Sequence, residues 1–190
     1  MLAGGTLPGV LRFPDPPLSD GVITLRARTH ADVDALVAAC QDPEISRWTR
    51  VPVPYFPEHA LEWVAASEQE LADGHAIHWL AFDAEGTLLA SVGLMEIDAK
   101  RGYGEIGYWV AREARGRGVA ARGVALVREW AQRELGLTTL ELVIHEDNHP
   151  SRAVARSAGF AETGERRRPP RGGLPDGAYL VHLWGAPSSA

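Results

Sequence analysis

Between Ile77 and Leu135 the periodicity of the chain changes once, from strand-like to helical, and that change restricts the folds open to it. Ile77–Phe82, Leu88–Ile97 and Gly104–Val110 are apolar runs of strand length, joined by the short turns Asp83–Gly86 and Asp98–Gly102. Connections this short join neighbouring antiparallel strands. A break rich in Arg and Gly follows (Ala111–Ala120), and then a long helical pattern over about Val119–Leu135. Its apolar residues at 119, 120, 124, 126, 127, 130 and 131 cover one broad face, while Arg128, Glu129, Gln132 and Arg133 stay polar. Leu140–Ile144 reads as the next strand. A meander followed by a crossover helix requires a sheet of mixed direction, so the class is α+β or mixed α/β.

The flanking segments complete the order. Val22–Arg26 alternates as a first strand, and Thr29 with Asp32 resembles a capping box ahead of Val33, Leu36 and Val37. Pro57 suits the first turn of a helix running to about Asp73, with Leu61, Val64 and Ala65 on its buried face. Ser151–Ala158 reads as a short helix, Phe160 onward as a strand, and Ala178–Trp184 as a final strand. Residues 1–20, with four prolines and three glycines, read as an extended, weakly structured lead-in to one domain over 21–185.

Composition narrows the function classes. No apolar run of the 190 residues approaches the roughly 20 that a membrane-spanning helix needs, and the Gly- and Pro-containing N-terminus does not read as a signal peptide. Cys40, the single cysteine, can form neither an internal disulfide nor a cysteine zinc site. The expected setting is cytoplasmic, without a membrane. The net charge of −6 disfavours nonspecific nucleic-acid binding. It also hides an asymmetry: residues 1–100 carry 6 Lys+Arg against 15 Asp+Glu, whereas residues 101–190 carry 13 against 10. A basic half can hold an anion while an acidic half attracts a cation, although two solvated surfaces would read the same way.

The loop Arg115-Gly116-Arg117-Gly118-Val119-Ala120 lies between a strand and a helix. Such a loop presents unpaired N–H groups and the positive end of a helix dipole to an anion. Glycine at 116 and 118 allows close backbone approach, and Arg115, Arg117 and Arg122 could add charge-assisted bonds. A flexible exposed turn is the plainer alternative. The Gly-Lys-Ser/Thr of a nucleotide P-loop is absent, and Gly116, Gly118 and Ala121 match a dinucleotide fingerprint only outside its proper βαβ setting.

Arg115-x-x-Gly118-x-Ala120 resembles the pyrophosphate loop of the GNAT N-acetyltransferases. Glu105–Val110 before it, and Asn148-x-x-Ser151-x-x-Val154-Ala155 with Ala158-Gly159-Phe160 after it, resemble the Rim-type branch that acetylates ribosomal-protein N-termini. The likeness runs from about Val22 to Trp184. It implies a GNAT-like three-layer fold with a bent mixed sheet, whose strands Gly104–Val110 and Leu140–Ile144 splay apart. It implies acetyl-CoA as cosubstrate, with pantetheine along Tyr108, Trp109 and Val110 and pyrophosphate on the backbone from about Gly116 to Ala120. It further places Asn148 beside pantetheine and Ser151 near the thioester sulfur, though either could be a turn or cap residue.

Direct transfer to an amine requires positioning, a base for the ammonium proton and a proton for the leaving thiolate. Glu105 shares a strand face with Gly107 and Trp109 and is the first candidate base; an ordinary solvent-facing carboxylate fits the same pattern. Glu96 and His145 are further candidates. Many GNAT relatives donate the last proton from a tyrosine in the short helix, but Ser151–Ser157 contains none, which leaves Ser151 as the matched donor. Trp130 and Trp184 fit core packing. Trp48 and Trp63 fit either core or an acceptor wall, where Glu44 and Glu62 would suit a cationic amine. The resulting expectation is an N-acetyltransferase acting on a protein N-terminus or a small amine, with a homodimer left open. A non-catalytic acyl-CoA-binding module is the alternative.

Overall fold

The meander read from the sequence forms the middle of a larger sheet. A computed structural model describes residues 11–168 and 174–185. Its strands are Leu18–Ser19 (β1), Thr24–Ala27 (β2), Ile77–Phe82 (β3), Leu88–Asp98 (β4), Tyr103–Val110 (β5), Thr139–His145 (β6), Ala161–Arg167 (β7) and Tyr179–Gly185 (β8). They lie in the order β1-β2-β3-β4-β5-β6-β8-β7. Every neighbouring pair is antiparallel except β5 and β6, which run parallel. The helices are Val33–Cys40 (α1), Pro43–Trp48 (α2), Pro57–Ala65 (α3), Ser67–Asp73 (α4), Val119–Leu135 (α5) and His149–Ser157 (α6). The mixed sheet with helices against it is the class expected from the change of period.

The middle of the sheet, at β3 and β4, is buried on both faces. One rests on α5, whose Val119, Val124, Val127, Trp130 and Ala131 are all buried. Trp130 meets Trp79 of β3 edge to face, with centroids 5.1 Å apart. On the other face Leu36, Cys40, Tyr55 and Val64 pack with Leu80 and Phe82. Gly136, in the left-handed region at φ 66°, ends α5, and its successor Leu137 donates back to the Ala131 carbonyl.

Several boundaries differ from the sequence reading. Residues 11–20 are not a loose lead-in: Leu11 is buried, Phe13 packs edge-on against Trp79, and Leu18–Ser19 pairs with β2. Apolar residues spaced among the prolines pay for that order by covering an indole. Residues 1–10 lie outside the described residues. The helix expected over Pro57–Asp73 divides at Ala66 into α3 and α4, and it buries Ala60 and Val64 while Leu61 and Ala65, expected on that face, are exposed. A further helix, α2, starts where Asp42 accepts from the Glu44 N–H and Pro43 occupies the first turn. Asp32 does accept from the Thr29 N–H (2.7 Å), and it also holds Arg26.

Helix α5 sits close to the sheet because Gly123 faces Val92 of β4; a Cβ at 123 would come within 2.8 Å of the Val92 Cγ2. Gly123→Ile should therefore overpack the interface, destabilise by about 1–3 kcal/mol and lower Tm by roughly 2–12 °C. A calorimetric Tm equal to the parent's would show that the helix can retreat without loss.

Candidate active site

Strands β5 and β6 pair only at Tyr103, Gly104 and Glu105 with Thr139, Leu140 and Glu141. Beyond that fork, β6 follows β8 for its whole length while β5 stays with β4. The strands part, and a cavity of about 1340 Å³ opens between them. It reaches from the loop before α5, past the edge of β5 and the start of α6, to the wall made by α1, α2 and α3.

The loop end is shaped by two left-handed glycines, Gly116 (φ 72°) and Gly118 (φ 75°), the second capping α5. No atom lies within 4 Å of where a Cβ would stand on either, so the backbone is open to a ligand. The N–H groups of Gly116 to Ala121 donate to no acceptor among the described residues. Alternating conformations of this kind turn successive N–H groups toward one anion. Gly116, Gly118 and Ala120 line the cavity. Val119 points into the core instead, and the exposed Arg117 lies off the lining. Two of the arginines expected to hold phosphate have partners of their own. Arg115 pairs with Asp42 at 2.6 Å and donates to the Val110 carbonyl, and Arg122 pairs with Asp20.

Midway, Tyr108, Trp109 and Val110 present the bare edge of β5 to the cavity, with Asn148 and Ser151 opposite. Asn148 is the N-cap of α6: its Oδ1 accepts from the Ser151 N–H at 3.1 Å. Ser151 is thus not the cap, and its hydroxyl is free for other work. It lies 2.7 Å from the Tyr108 hydroxyl. Burial pushes the Tyr108 phenol up to about 12, against a smaller lowering by Ser151, so the phenol keeps its proton at neutral pH. The short helix lacks a tyrosine, yet a tyrosine hydroxyl reaches its first turn from the neighbouring strand. Strand alternation alone does not reveal this, because the contact spans 43 residues of sequence.

At the other end, Glu105 lines the cavity and its carboxylate has no hydrogen-bond partner among the described residues. Burial, reinforced by Glu141 and Glu96 and opposed by Arg50 and Arg167, raises its proton affinity above the ordinary carboxylate value. The other candidate bases fare differently. Glu96 is exposed on a bulge at φ 48° and does not line the cavity. His145 lines it, but both ring nitrogens are engaged: Nδ1 accepts from the Asp147 N–H and Nε2 donates to the Asp176 carbonyl. Trp48 and Trp63 line the wall together with Glu44 and Glu62. Arg47 lies over Trp48 and the buried Arg28 over Trp63, while Glu44 pairs with Arg47 at 3.5 Å and accepts from the Trp48 Nε1–H, so Glu62 rather than Glu44 or a free aromatic face is left to receive a cation. Cys40 lines the same end, 4% exposed, its thiol pushed up by burial to about 12.

The model of the acetyltransferase (GNAT) domain matches residues 23–161. The chain belongs to the GNAT acetyltransferase family. Acetyl-CoA is accordingly its cosubstrate, and the open N–H loop, bare strand edge and long cavity suit a pyrophosphate carrying an extended arm. YdaF of Bacillus subtilis, named as a ribosomal N-acetyltransferase, is 32% identical over 96 residues, 50% of this chain and 48% of that protein. Among solved structures, RimL, a ribosomal L7/L12 alpha-N-protein acetyltransferase in complex with coenzyme A, superposes with a TM-score of 0.77 at 20% identity, over 89% of this chain and 96% of that one. Spermidine N-acetyltransferase from Vibrio cholerae, with CoA and spermine, reaches 0.70 at 19% identity, over 86% and 94%. These superpositions speak for the GNAT fold, and YdaF and RimL carry the ribosomal-protein acetyltransferase names that the motifs suggested. No helix among the described residues is long and apolar enough to cross a membrane.

The loop geometry yields a direct test. Acetyl-CoA should raise Tm, while ATP and NAD should not do so comparably. Gly118→Asp should abolish the shift while leaving the apo protein folded, since aspartate tolerates left-handed backbone better than most residues. An equal shift in the variant would mean that this loop does not hold the phosphates.

Proposed function

We propose that the protein transfers the acetyl group of acetyl-CoA directly to a primary amine, the acceptor being the N-terminus of a protein. One observation carries the reading: a single cavity joins the open N–H loop, the Ser151–Tyr108 hydroxyl pair and the unpartnered Glu105. Acetyl-CoA supplies an acyl carbon already activated as a thioester. Gly116 to Ala120 bind its phosphates through backbone N–H groups, Tyr108, Trp109 and Val110 offer the strand edge to pantetheine, and Asn148 keeps its Nδ2 for the same arm. Glu105 takes the ammonium proton, directly or through water, which leaves a neutral nucleophile. Ser151 donates its hydroxyl proton toward the leaving sulfur while the Tyr108 phenol, held in its protonated form, donates to Ser151 in turn.

The acceptor end supports a cationic, polypeptide-sized partner. Glu62 and Glu105 face the cavity there, and Val53, Phe56 and Leu61, close in sequence to the lining residues Pro52, Tyr55 and Glu62, stand 76%, 51% and 42% exposed. Release of free CoA across a panel of basic-headed peptides and small amines tests this; turnover with polyamines but no peptide would move the acceptor to the small-molecule class. Release of no CoA from any acceptor would favour a binding module.

Two variants test the chemistry. Ser151→Ala should lower kcat by about 10–100-fold with little change in acetyl-CoA affinity. An unchanged kcat would remove the hydroxyl from the reaction. Glu105→Gln should lose rate most at neutral pH and recover partly at higher pH, where the amine deprotonates unaided. The same variant should be more stable than the parent at neutral pH. A carboxyl with raised folded-state affinity contributes stability below its unfolded value, and that contribution is lost as pH rises through the folded one. A Tm that falls, with a pH–rate profile parallel to the parent's, would make Glu105 structural.

A further inference from the structure

Glu105 has a neighbour that the reading above does not use. Its register partner across β5 and β6 is Glu141, at the last paired position before the strands part. Partners on adjacent strands share a face at roughly 5 Å, so two carboxylates stand side by side at the root of the cavity. Their surroundings differ sharply. The Glu141 side chain is 3% exposed, and Arg167 of β7 grips it with both terminal nitrogens, Nη1 on Oε1 and Nη2 on Oε2 at 3.2 Å. The Tyr103 phenol hydrogen-bonds to it as well. Fork-to-fork pairing of this kind fixes the carboxylate's position through two parallel charge-assisted bonds. Glu105 faces the cavity with no such partner.

Resting on the assignment of Glu105 as base, we propose that Glu141, clamped in place by Arg167, is a positioning residue: the fixed neighbouring carboxylate beside which Glu105 takes up its proton. The two form an asymmetric carboxylate pair with one working member. Two like charges so close resist full ionisation unless one is compensated from outside, and here the compensation goes to Glu141. The groups acting on Glu105 are Glu141 from β6, Glu96 from β4, Arg167 from β7 and Arg50 from the segment after α2. Tyr103, on β5 itself, feels both carboxylates. His145 shares the β6 face of Glu141 two pleats on, with its ring nitrogens engaged elsewhere. Removing Glu141's charge should weaken the hold of Glu105 on a proton, and removing Arg167's should strengthen it. Opposite signs are the signature of a charge effect; loss of packing would not produce them.

The test is a carbon-13 carboxyl titration of glutamate-labelled protein without ligand, for the parent, Glu141→Gln and Arg167→Gln, with Glu105→Gln assigning the resonance. Alongside it, kcat/KM is measured against pH with acetyl-CoA and the best acceptor. The Glu105 midpoint should fall by about one pH unit in Glu141→Gln and rise in Arg167→Gln, and the acid limb of kcat/KM should follow. Arg167 lies on an outer strand and is 40% exposed, so its variant carries the sign should Glu141→Gln fail to fold. A midpoint that stays put in the folded variants, or moves the same way in both, overturns the proposal. Midpoints that move as expected without the acid limb following support the carboxylate pair and overturn the assignment of Glu105 as base. An acid limb abolished in Glu105→Gln, beside an unmoved midpoint in the other two, keeps the base and discards the pair.

Discussion

Beyond Glu105 and Glu141, the facing edges of β5 and β6 have no partner in each other. Backbone N–H and C=O groups in a buried setting need hydrogen bonds from somewhere, and an edge left bare in the middle of a sheet is a standing demand for one. The rest of the molecule keeps that edge bare. Each strand is fastened on its far side to an antiparallel neighbour, β4 for one and β8 for the other, so neither can swing back to close the gap. Helix α5, drawn onto β4 at Gly123, delivers its N-terminal loop to one end of the gap, and α6 lies along its side.

The alternation of a single strand then divides the chemistry. Glu105 and Trp109 of β5 turn toward α1, α2 and α3, whereas Tyr108 turns toward α6 and meets Ser151. Groups suited to accepting a proton and groups suited to giving one are therefore separated by the thickness of one strand, without loops to position either. The fork that opens the gap also brings Glu105 and Glu141 into register, so the same break in pairing that makes room for a ligand assembles the carboxylates.

Much of this was legible in the residues. The meander, the crossover helix and the glycines before it follow from local periodicity and turn chemistry, which is why β3, β4, β5 and α5 lie close to where the sequence put them. What escaped depends on contacts between distant residues. The burial of Leu11 and Phe13 depends on Trp79, and the Tyr108–Ser151 contact on where α6 lands. Helix α2 is only six residues long, too brief for a periodic signal, although Asp42-Pro43 is a recognisable start. The arginines illustrate the limit best: Arg115 and Arg122 have the charge for phosphate, but only the structure shows Asp42 and Asp20 beside them.

The buried thiol has a practical side. Cys40 is the protein's sole cysteine, and it combines almost complete enclosure with a strong preference for its protonated form. Thiolate is the species that attacks disulfide and maleimide reagents, so the folded enzyme is nearly silent toward them. Every turnover, by contrast, sets free a coenzyme thiol in solution. A colorimetric thiol reagent added to the reaction therefore reads product against a dark protein background, with no cysteine to engineer away and no quench needed before measurement.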